Sequence, residues 1–308
     1  MNKQTMQTLA SLTNDFYNKE AQSFSDTRTR PWDGWTYAMD YLLKHGLLTF
    51  GNNKVSVAPT LFEQTPLTQT PLPQTHPCDC IDVACGNLRF LDFLINYLQN
   101  NISNPITNFP SVLSYIGIDK QSTLTRLGMQ KLSHTLTQHA CVTIHTTDVL
   151  SKLMDEHDPL AELTQTTGMM VCFGFMHHIP SFKLRQTFLS ALCEHVCRGG
   201  IIVLSFWCFG NTKHRRAKAQ SQTEEALCAL AAQQRYMLDV RELENNDYLL
   251  GWKHTQGVMR YAHSFSEQEV FDLIANTKTL KLLTHWYADG KDNHSNLYVI
   301  AQNVTATH

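Results

Sequence analysis

The segment Asp82-Val83-Ala84-Cys85-Gly86-Asn87-Leu88-Arg89-Phe90 places an acid and a glycine where an apolar, strand-like run gives way to a helical one. Glycine at such a bend lets the backbone come close to a ligand, and the free amides of the following helix start favour a carboxylate. Two later strand-like runs also end in acids. Asp119 follows Tyr115-Ile116-Gly117-Ile118, and Asp148 follows Thr146-Thr147. A carboxylate at the end of the second strand of an open α/β sheet can accept from both hydroxyls of a ribose. One at the end of the third can accept from an adenine amino group, with Val149 packed on the ring. Each acid has a plainer alternative as the N-cap of the helix that follows it. As a set, Asp82, Ala84, Gly86, Asn87, Asp119, Lys120, Asp148, Val149 and Phe173 are the expected contacts of an adenosine-containing cofactor.

The same segment discriminates between cofactors. A dinucleotide site uses G-x-G-x-x-G, whose glycines cradle a pyrophosphate. Here Ala84 stands at the first glycine position, and no glycine follows Gly86 in the helix. S-adenosylmethionine has no phosphates, so one close approach suffices, and it is the expected cofactor. The fourth strand-like run ends Cys172-Phe173-Gly174-Phe175-Met176-His177-His178-Ile179-Pro180. Polar side chains at that edge would face a transferred methyl group.

These residues need a scaffold, and the rest of the chain predicts one. Short apolar runs over Cys80–Ala84, Val112–Ile118, Cys141–Ile144, Met169–Phe173 and Ile201–Phe206 alternate with helical-period segments over Asn87–Leu98, Ser122–Leu132 and Phe182–Val196. Such alternation predicts a doubly wound α/β fold with helices on both faces of a mostly parallel sheet. A helix over 267–275 and strands over 280–286 and 297–301 complete a seven-stranded sheet with an antiparallel last strand. Ahead of it, Met6, Leu9, Leu12, Phe16 and Tyr17 recur at helical spacing over 5–23, and a second helix over 34–45 carries Trp35, Met39, Leu42 and Leu43. Residues 1–50 read as an N-terminal helical lid over substrate and cofactor. Residues 51–77 read as a Pro/Thr/Gln-rich linker, and 78–308 as the catalytic domain with an inserted helical cap near 211–236.

Composition narrows the class. With 25 Lys plus Arg against 27 Asp plus Glu, the chain of 308 residues lacks the globally basic surface of many nucleic-acid binders. Its one dense basic run is Lys213-His214-Arg215-Arg216 with Lys218, a candidate phosphate contact or a solvated helix start. No apolar run reaches the roughly 20 residues of a membrane span. The N-terminus has no signal-peptide core, so a cytoplasmic protein is expected. Nine scattered cysteines suit reduced thiols. Neither Cys78, Cys80 and Cys85 nor Cys193, His195 and Cys197 has the paired spacing of structural zinc, so no metal is expected.

The four blocks, in this order, resemble the class I S-adenosylmethionine-dependent methyltransferases. Gly199-Gly200 before the fifth strand and the closing strand pair match that family's usual end, whereas Ala84 and Leu88 depart from its glycine-rich first motif. A narrower resemblance lies outside the core. Phe24-Ser25-Asp26-Thr27-Arg28-Thr29-Arg30-Pro31-Trp32 is similar to the N-terminal motif of the tRNA wobble-uridine carboxymethyl methyltransferases, which esterify 5-carboxymethyluridine. His177-His178, Ser205-Phe206-Trp207, Arg260-Tyr261-Ala262-His263-Ser264-Phe265 and Asn296-Leu297-Tyr298-Val299-Ile300-Ala301-Gln302 resemble further blocks of that family. The resemblance implies tRNA as partner and a carboxylate as methyl acceptor; related tRNA enzymes also use a small activating subunit.

A carboxylate is ionised at pH 7, so such a transfer needs alignment rather than a general base. Arg28 is the expected clamp, because guanidinium holds a carboxylate bidentately. His177 would orient the acceptor, or deprotonate a neutral one. Arg30, Trp32, His178, Tyr261 and His263 are the other expected acceptor contacts, with Trp32 and Tyr261 stacking on a base. Two other functions fit the same fold. A small-molecule O- or N-methyltransferase is favoured by the near-neutral charge. A non-catalytic scaffold is disfavoured by the joint presence of Gly86, Asp119 and Asp148.

Overall fold

The computed structural model describes residues 1–47, 78–101, 113–233, 238–252 and 255–304, so the expected linker over 51–77 lies outside the described residues. Helices α1 (Lys3–Asp26) and α2 (Asp33–Lys44) open the chain. The alternating part runs β1 (Cys80–Val83), α3 (Arg89–Asn101), β2 (Leu113–Asp119), α4 (Ser122–His139), β3 (Ala140–Thr146), α5 (Val149–Met154), β4 (Thr167–Cys172), α6 (Phe182–Glu194) and β5 (Val196–Trp207). Then come α7 (Lys213–Gln233), β6 (Asp247–Trp252), β7 (Thr255–His263), α8 (Glu267–Asn276), β8 (Leu280–Ala288) and β9 (Asn296–Asn303).

Seven strands form one sheet in the order β3-β2-β1-β4-β5-β9-β8. β1 to β5 pair in parallel, and β9 is antiparallel to both β5 and β8. The sheet is thus the expected one. Its strand order reverses at β1, which pairs with β2 on one side and β4 on the other. In open α/β sheets that switch point leaves a crevice beyond the carboxyl ends of the strands, where ligands bind.

Both faces of the sheet are covered, and alternate side chains sort between them. Ile81, Met170, Cys172, Ile202 and Leu204 pack with Leu153, Leu189, Leu192 and Leu273 of α5, α6 and α8. Cys80, Met169, Val171, Ile201 and Val203 pack with Trp35, Met39, Leu42, Leu91 and Leu94 of α2 and α3. α2 is therefore a core layer, not a lid; its apolar residues recur at helical spacing because one side is wholly buried. α1 plays the covering part. Leu9 and Leu12 pack against Leu249, Met259 and Tyr261 of the β6–β7 hairpin and against Ala226 and Leu230 of α7.

That hairpin is an element the sequence analysis did not anticipate. It forms a separate two-stranded sheet, β6 antiparallel to β7, between the expected helical cap and α8. None of the described helices is long and apolar enough to cross a membrane.

Candidate functional site

A cavity of about 1010 Å³ opens at the carboxyl edge of the sheet, over the switch point. Its floor is the β1 edge, with the β2, β3 and β4 ends around it. α1, the turn between α1 and α2, and β7 cover it. Every expected cofactor contact lines it: Asp82 in β1 with Ala84, Gly86 and Asn87 after it, Asp119 ending β2 with Lys120 next, Asp148 and Val149 after β3, and Phe173 after β4.

The first turn keeps the shape that glycines would give it, although only one of its three left-handed positions is glycine. Ala84 (φ 63°), Gly86 (φ 54°) and Leu88 (φ 58°) all adopt left-handed backbone conformations. For Ala84 and Leu88 this conformation costs on the order of 1–2 kcal/mol each. Leu88 offsets it by complete burial among Leu91, Leu94 and Cys85. At Gly86 a Cβ would meet nothing within 4 Å, so the bend faces open space in which a ligand can lie.

The acids serve both structure and cavity. Asp119 accepts from the Gly86 amide at 2.8 Å on one oxygen and from the Gln121 amide at 2.7 Å on the other. It ties the β1 and β2 turns together, and burial raises its pKa against the pull of those two amides. Each oxygen keeps a second lone pair. Asp148 caps α5 through the Ser151 amide at 3.0 Å and pairs with Lys120 at 2.5 Å. At Asp148, cap and cavity residue are therefore the same side chain, whereas Asp119 bonds the turn ahead of α4 and does not cap that helix. Asp82 is buried and accepts from the Tyr115 hydroxyl at 2.6 Å. Burial is the main cause that raises its pKa to about 7, partly offset by that hydrogen bond.

Around the acceptor end, expectation and structure divide. Arg28, Arg30, Trp32, His177 and His178 all line the cavity. The Trp32 ring passes so close to Gly174 that a Cβ there would lie 3.1 Å from it, and Arg89 stacks above Trp32 at 5.2 Å while donating to the Arg30 carbonyl oxygen at 2.9 Å. Asn87, at the cavity as expected, donates its amide to the Ser25 hydroxyl and the Arg28 carbonyl oxygen. His178 lies between Tyr17 and Tyr261. Its Nδ1 is 2.8 Å from the Tyr261 carbonyl oxygen, which can only accept, so Nδ1 carries the proton and Nε2 accepts from the Tyr17 hydroxyl at 3.0 Å. Burial, with Arg260 nearby, lowers the His178 pKa to about 3. His177 is also pushed well down, first by burial and then by His178, Arg260 and Arg28.

Tyr261 and His263 do not line the cavity, which corrects their expected place in the acceptor site. Both are buried on the opposite face of β7. The Tyr261 hydroxyl donates to Asp247 at 2.7 Å, and His263 bridges Asp247 at 2.7 Å and Glu269 at 2.9 Å. Arg185, fully buried, completes this network through Glu244 at 3.1 Å and Glu269 at 2.9 Å. Glu244, Asp247 and His263 have the spacing of a metal cluster, but the guanidinium already occupies the cationic role among them. On the cavity side of β7 the side chain is Arg260. Alternation along a strand sends residues 260 and 262 one way and 261 and 263 the other, so recognising β7 would have picked out Arg260. Tyr17, the other functional residue missed, shows in sequence only as one apolar position of α1.

The basic run at the start of α7 lies outside the cavity. Arg215 pairs with Asp292 at 3.1 Å and Arg216 donates to the Gly210 carbonyl oxygen at 3.1 Å.

No protein-family model and no curated protein matches the sequence. Solved structures do match. An S-adenosylmethionine-dependent methyltransferase from Methanosarcina mazei is 14% identical, covering 75% of this chain and 94% of its own, with a TM-score of 0.50. The complex of DhpI with SAM and HEP is 12% identical, covering 96% of this chain and 97% of its own, with a TM-score of 0.51. Identities this low establish the fold: a mostly parallel seven-stranded, Rossmann-like methyltransferase sheet.

Proposed function

We propose that the protein is an S-adenosylmethionine-dependent methyltransferase. The observation that carries this reading is the convergence of Asp82, Gly86, Asp119 and Asp148 on one cavity at the switch point of a methyltransferase fold. The open space beside Gly86 and the buried carboxylate of Asp82 suit a ligand that is cationic at its methionine end and phosphate-free. Asp119 would accept from the ribose hydroxyls. Asp148, with Val149 beneath, would face the adenine, sharing its oxygen with Lys120. When bound, the cofactor supplies an electrophilic methyl group on a sulfonium.

The chain's own residues then have to align an acceptor and exclude water. Trp32, held over Gly174 and backed by Arg89, forms one wall of the acceptor space, and Tyr17 with His178 forms another. Proximity of this kind supplies several kcal/mol without acid–base chemistry. The finer reading is that the acceptor is the carboxylate of a modified wobble uridine in tRNA, clamped by Arg28. The motif resemblance supports it, and so does the position of Arg28 at the cavity. A small-molecule acceptor is the second reading, favoured by the net charge of −2 and by the coverage that α1 gives the cavity.

Titration calorimetry with S-adenosylhomocysteine tests the first claim; no binding at millimolar ligand would remove it. Methyl transfer from labelled cofactor into bulk tRNA, compared with transfer into a metabolite extract, decides between the acceptors.

A further inference from the structure

The covered end of the cavity holds a charge that the surrounding protein leaves unanswered. Arg260 is 6% exposed, yet its Nε and Nη1 have no hydrogen-bond partner among the described residues. Three rings surround its guanidinium: Phe16 at 4.7 Å, Trp252 at 5.3 Å and Trp207 at 5.6 Å from the ring centroids. Rings stabilise the face of a guanidinium, but its N–H donors radiate in its plane, and those at Nε and Nη1 remain unused among the described residues. Burying a charge without a counter-ion is costly, so folds seldom keep one without a use. The contrast with Arg185 is informative. Both are buried arginines, but Arg185 is paired with Glu244 and Glu269, whereas Arg260 faces the cavity with no carboxylate partner among the described residues.

The neighbours of Arg260 share its character. Arg28 packs on the same Trp252 ring at 5.8 Å and on Phe24 at 4.6 Å. His177, also buried, has an Nδ1 without a partner among the described residues and lies against Trp207 at 5.0 Å. The Tyr17 hydroxyl already donates to His178. Two guanidiniums and two neutral histidines make a site that offers positive charge and hydrogen-bond donors. Both histidines are held below their usual pKa, chiefly by burial, which makes them weak bases toward a neutral acceptor.

We infer that Arg260 is the receptor for an anionic oxygen group of the acceptor, holding it inside the ring cage with Arg28 at the outer side. The inference rests on the methyltransferase reading only for what reacts there; the anion site is a property of the cavity itself. A carboxylate and a phosphate share the required chemistry. The unpaired Nε and Nη1 lie on different edges of the guanidinium, each completed by Nη2, so the two oxygens of a carboxylate match either edge. The receptor makes ionised acceptors the substrates and leaves neutral isosteres outside.

The test uses the full chain saturated with S-adenosylhomocysteine, with the indole N–H resonances of Trp207 and Trp252 as reporters. Acetate, inorganic phosphate and acetamide are the probes. A saturable shift with acetate but not acetamide, lost in Arg260→Met and weakened in Arg260→Lys, is the expected result. A stronger response to phosphate than to acetate would also confirm the receptor and assign it to phosphate. Equal responses to acetate and acetamide, or an unchanged acetate response in Arg260→Met, would overturn it. Arg260→Met should melt no lower than the wild type, because a thioether suits the three rings and the unpaired charge is gone. If Arg260 were only cement for those rings, that variant would melt several degrees lower and the acetate response would be absent from the wild type as well. Failure of the two readings is separable. Acetate binding without S-adenosylhomocysteine binding would sink the methyltransferase reading alone, and the reverse would sink the receptor alone.

Discussion

The side-chain amide of Asn87 donates to the main-chain carbonyl oxygen of Arg28 at 3.3 Å, joining the cofactor turn to the turn that carries the acceptor-facing arginine. A second hydrogen bond from the same amide, to the Ser25 hydroxyl at 3.0 Å, fixes the end of α1. On the proposed reading, the positions of cofactor and acceptor are thereby coupled through one side chain. Asn87→Ala should raise the acceptor KM about tenfold while leaving the Kd for S-adenosylhomocysteine within about threefold, since about 1 kcal/mol per lost hydrogen bond falls on the turn. Steady-state kinetics with calorimetry would show it. The opposite split would make Asn87 a direct cofactor contact.

Ala84 holds a left-handed conformation that glycine adopts without strain. Ala84→Gly should therefore leave stability unchanged or raise it by up to about 1 kcal/mol, despite the extra freedom of the unfolded chain. Cofactor affinity should be preserved. Leu88→Gly relieves similar strain but removes a fully buried side chain, and should lose about 2–4 kcal/mol. Chemical denaturation of the two variants distinguishes the cases; a strongly destabilised Ala84→Gly would contradict the strain argument.

The buried Asp82 gives a pH signature. Its pKa is raised to about 7 in the fold from 3.8, so folding favours the protonated form. That contribution is fully present below about pH 4 and is lost as pH rises through 7. Asp82→Asn should thus raise the stability of the cofactor-free protein at pH 8, on the order of 3 kcal/mol, and change it much less at pH 4. A bound sulfonium and ammonium favour the carboxylate, so wild-type cofactor affinity should climb between pH 6 and 8. In Asp82→Asn the curve should be flat; an equally steep curve would place the titrating group elsewhere.

His263 contacts a carboxylate at each ring nitrogen, so both nitrogens donate only when the ring is charged. Burial opposes that charge, but the hydrogen bonds donated to Asp247 and Glu269 prevail and raise its pKa above 6.5. The stability this provides is fully present below pH 6.5 and is lost as pH rises through the raised value. His263→Gln should melt lower than the wild type at pH 6, with the gap narrowing at alkaline pH. A gap that is constant or widens with pH would mean a neutral ring in the fold.

Tyr261 provides a check on the correction at β7. Its hydroxyl donates to the buried Asp247, so Tyr261→Phe should cost about 1–3 kcal/mol of stability while methyl transfer proceeds at the wild-type KM. A raised acceptor KM with normal melting would restore Tyr261 to the acceptor site.

The sequence alone determined the sheet, its mostly parallel order and the residues that gather over its switch point, the proposed cofactor end of the cavity. Those follow from local signals: short apolar runs, a bend at Gly86, and acids directly after strands at Asp119 and Asp148. A strand's length and its terminal residue are decided within a few neighbours, so they can be read in line. The positive φ of Ala84 and Leu88 was not legible, because only the surrounding turn, with its Asp119 tether, forces that conformation on residues that resist it. The acceptor end was decided by tertiary structure. Its walls come from α1, the α1–α2 turn, the loop after β4, and β7, segments as far apart as Tyr17 and Arg260. The side of β7 that faces the cavity depends on register in a hairpin hidden from the sequence reading, and a shift of one residue exchanges Arg260 for Tyr261. That exchange separates an arginine aimed into a pocket from a tyrosine locked in the core, and it was settled only when α1 packed its leucines against the other face.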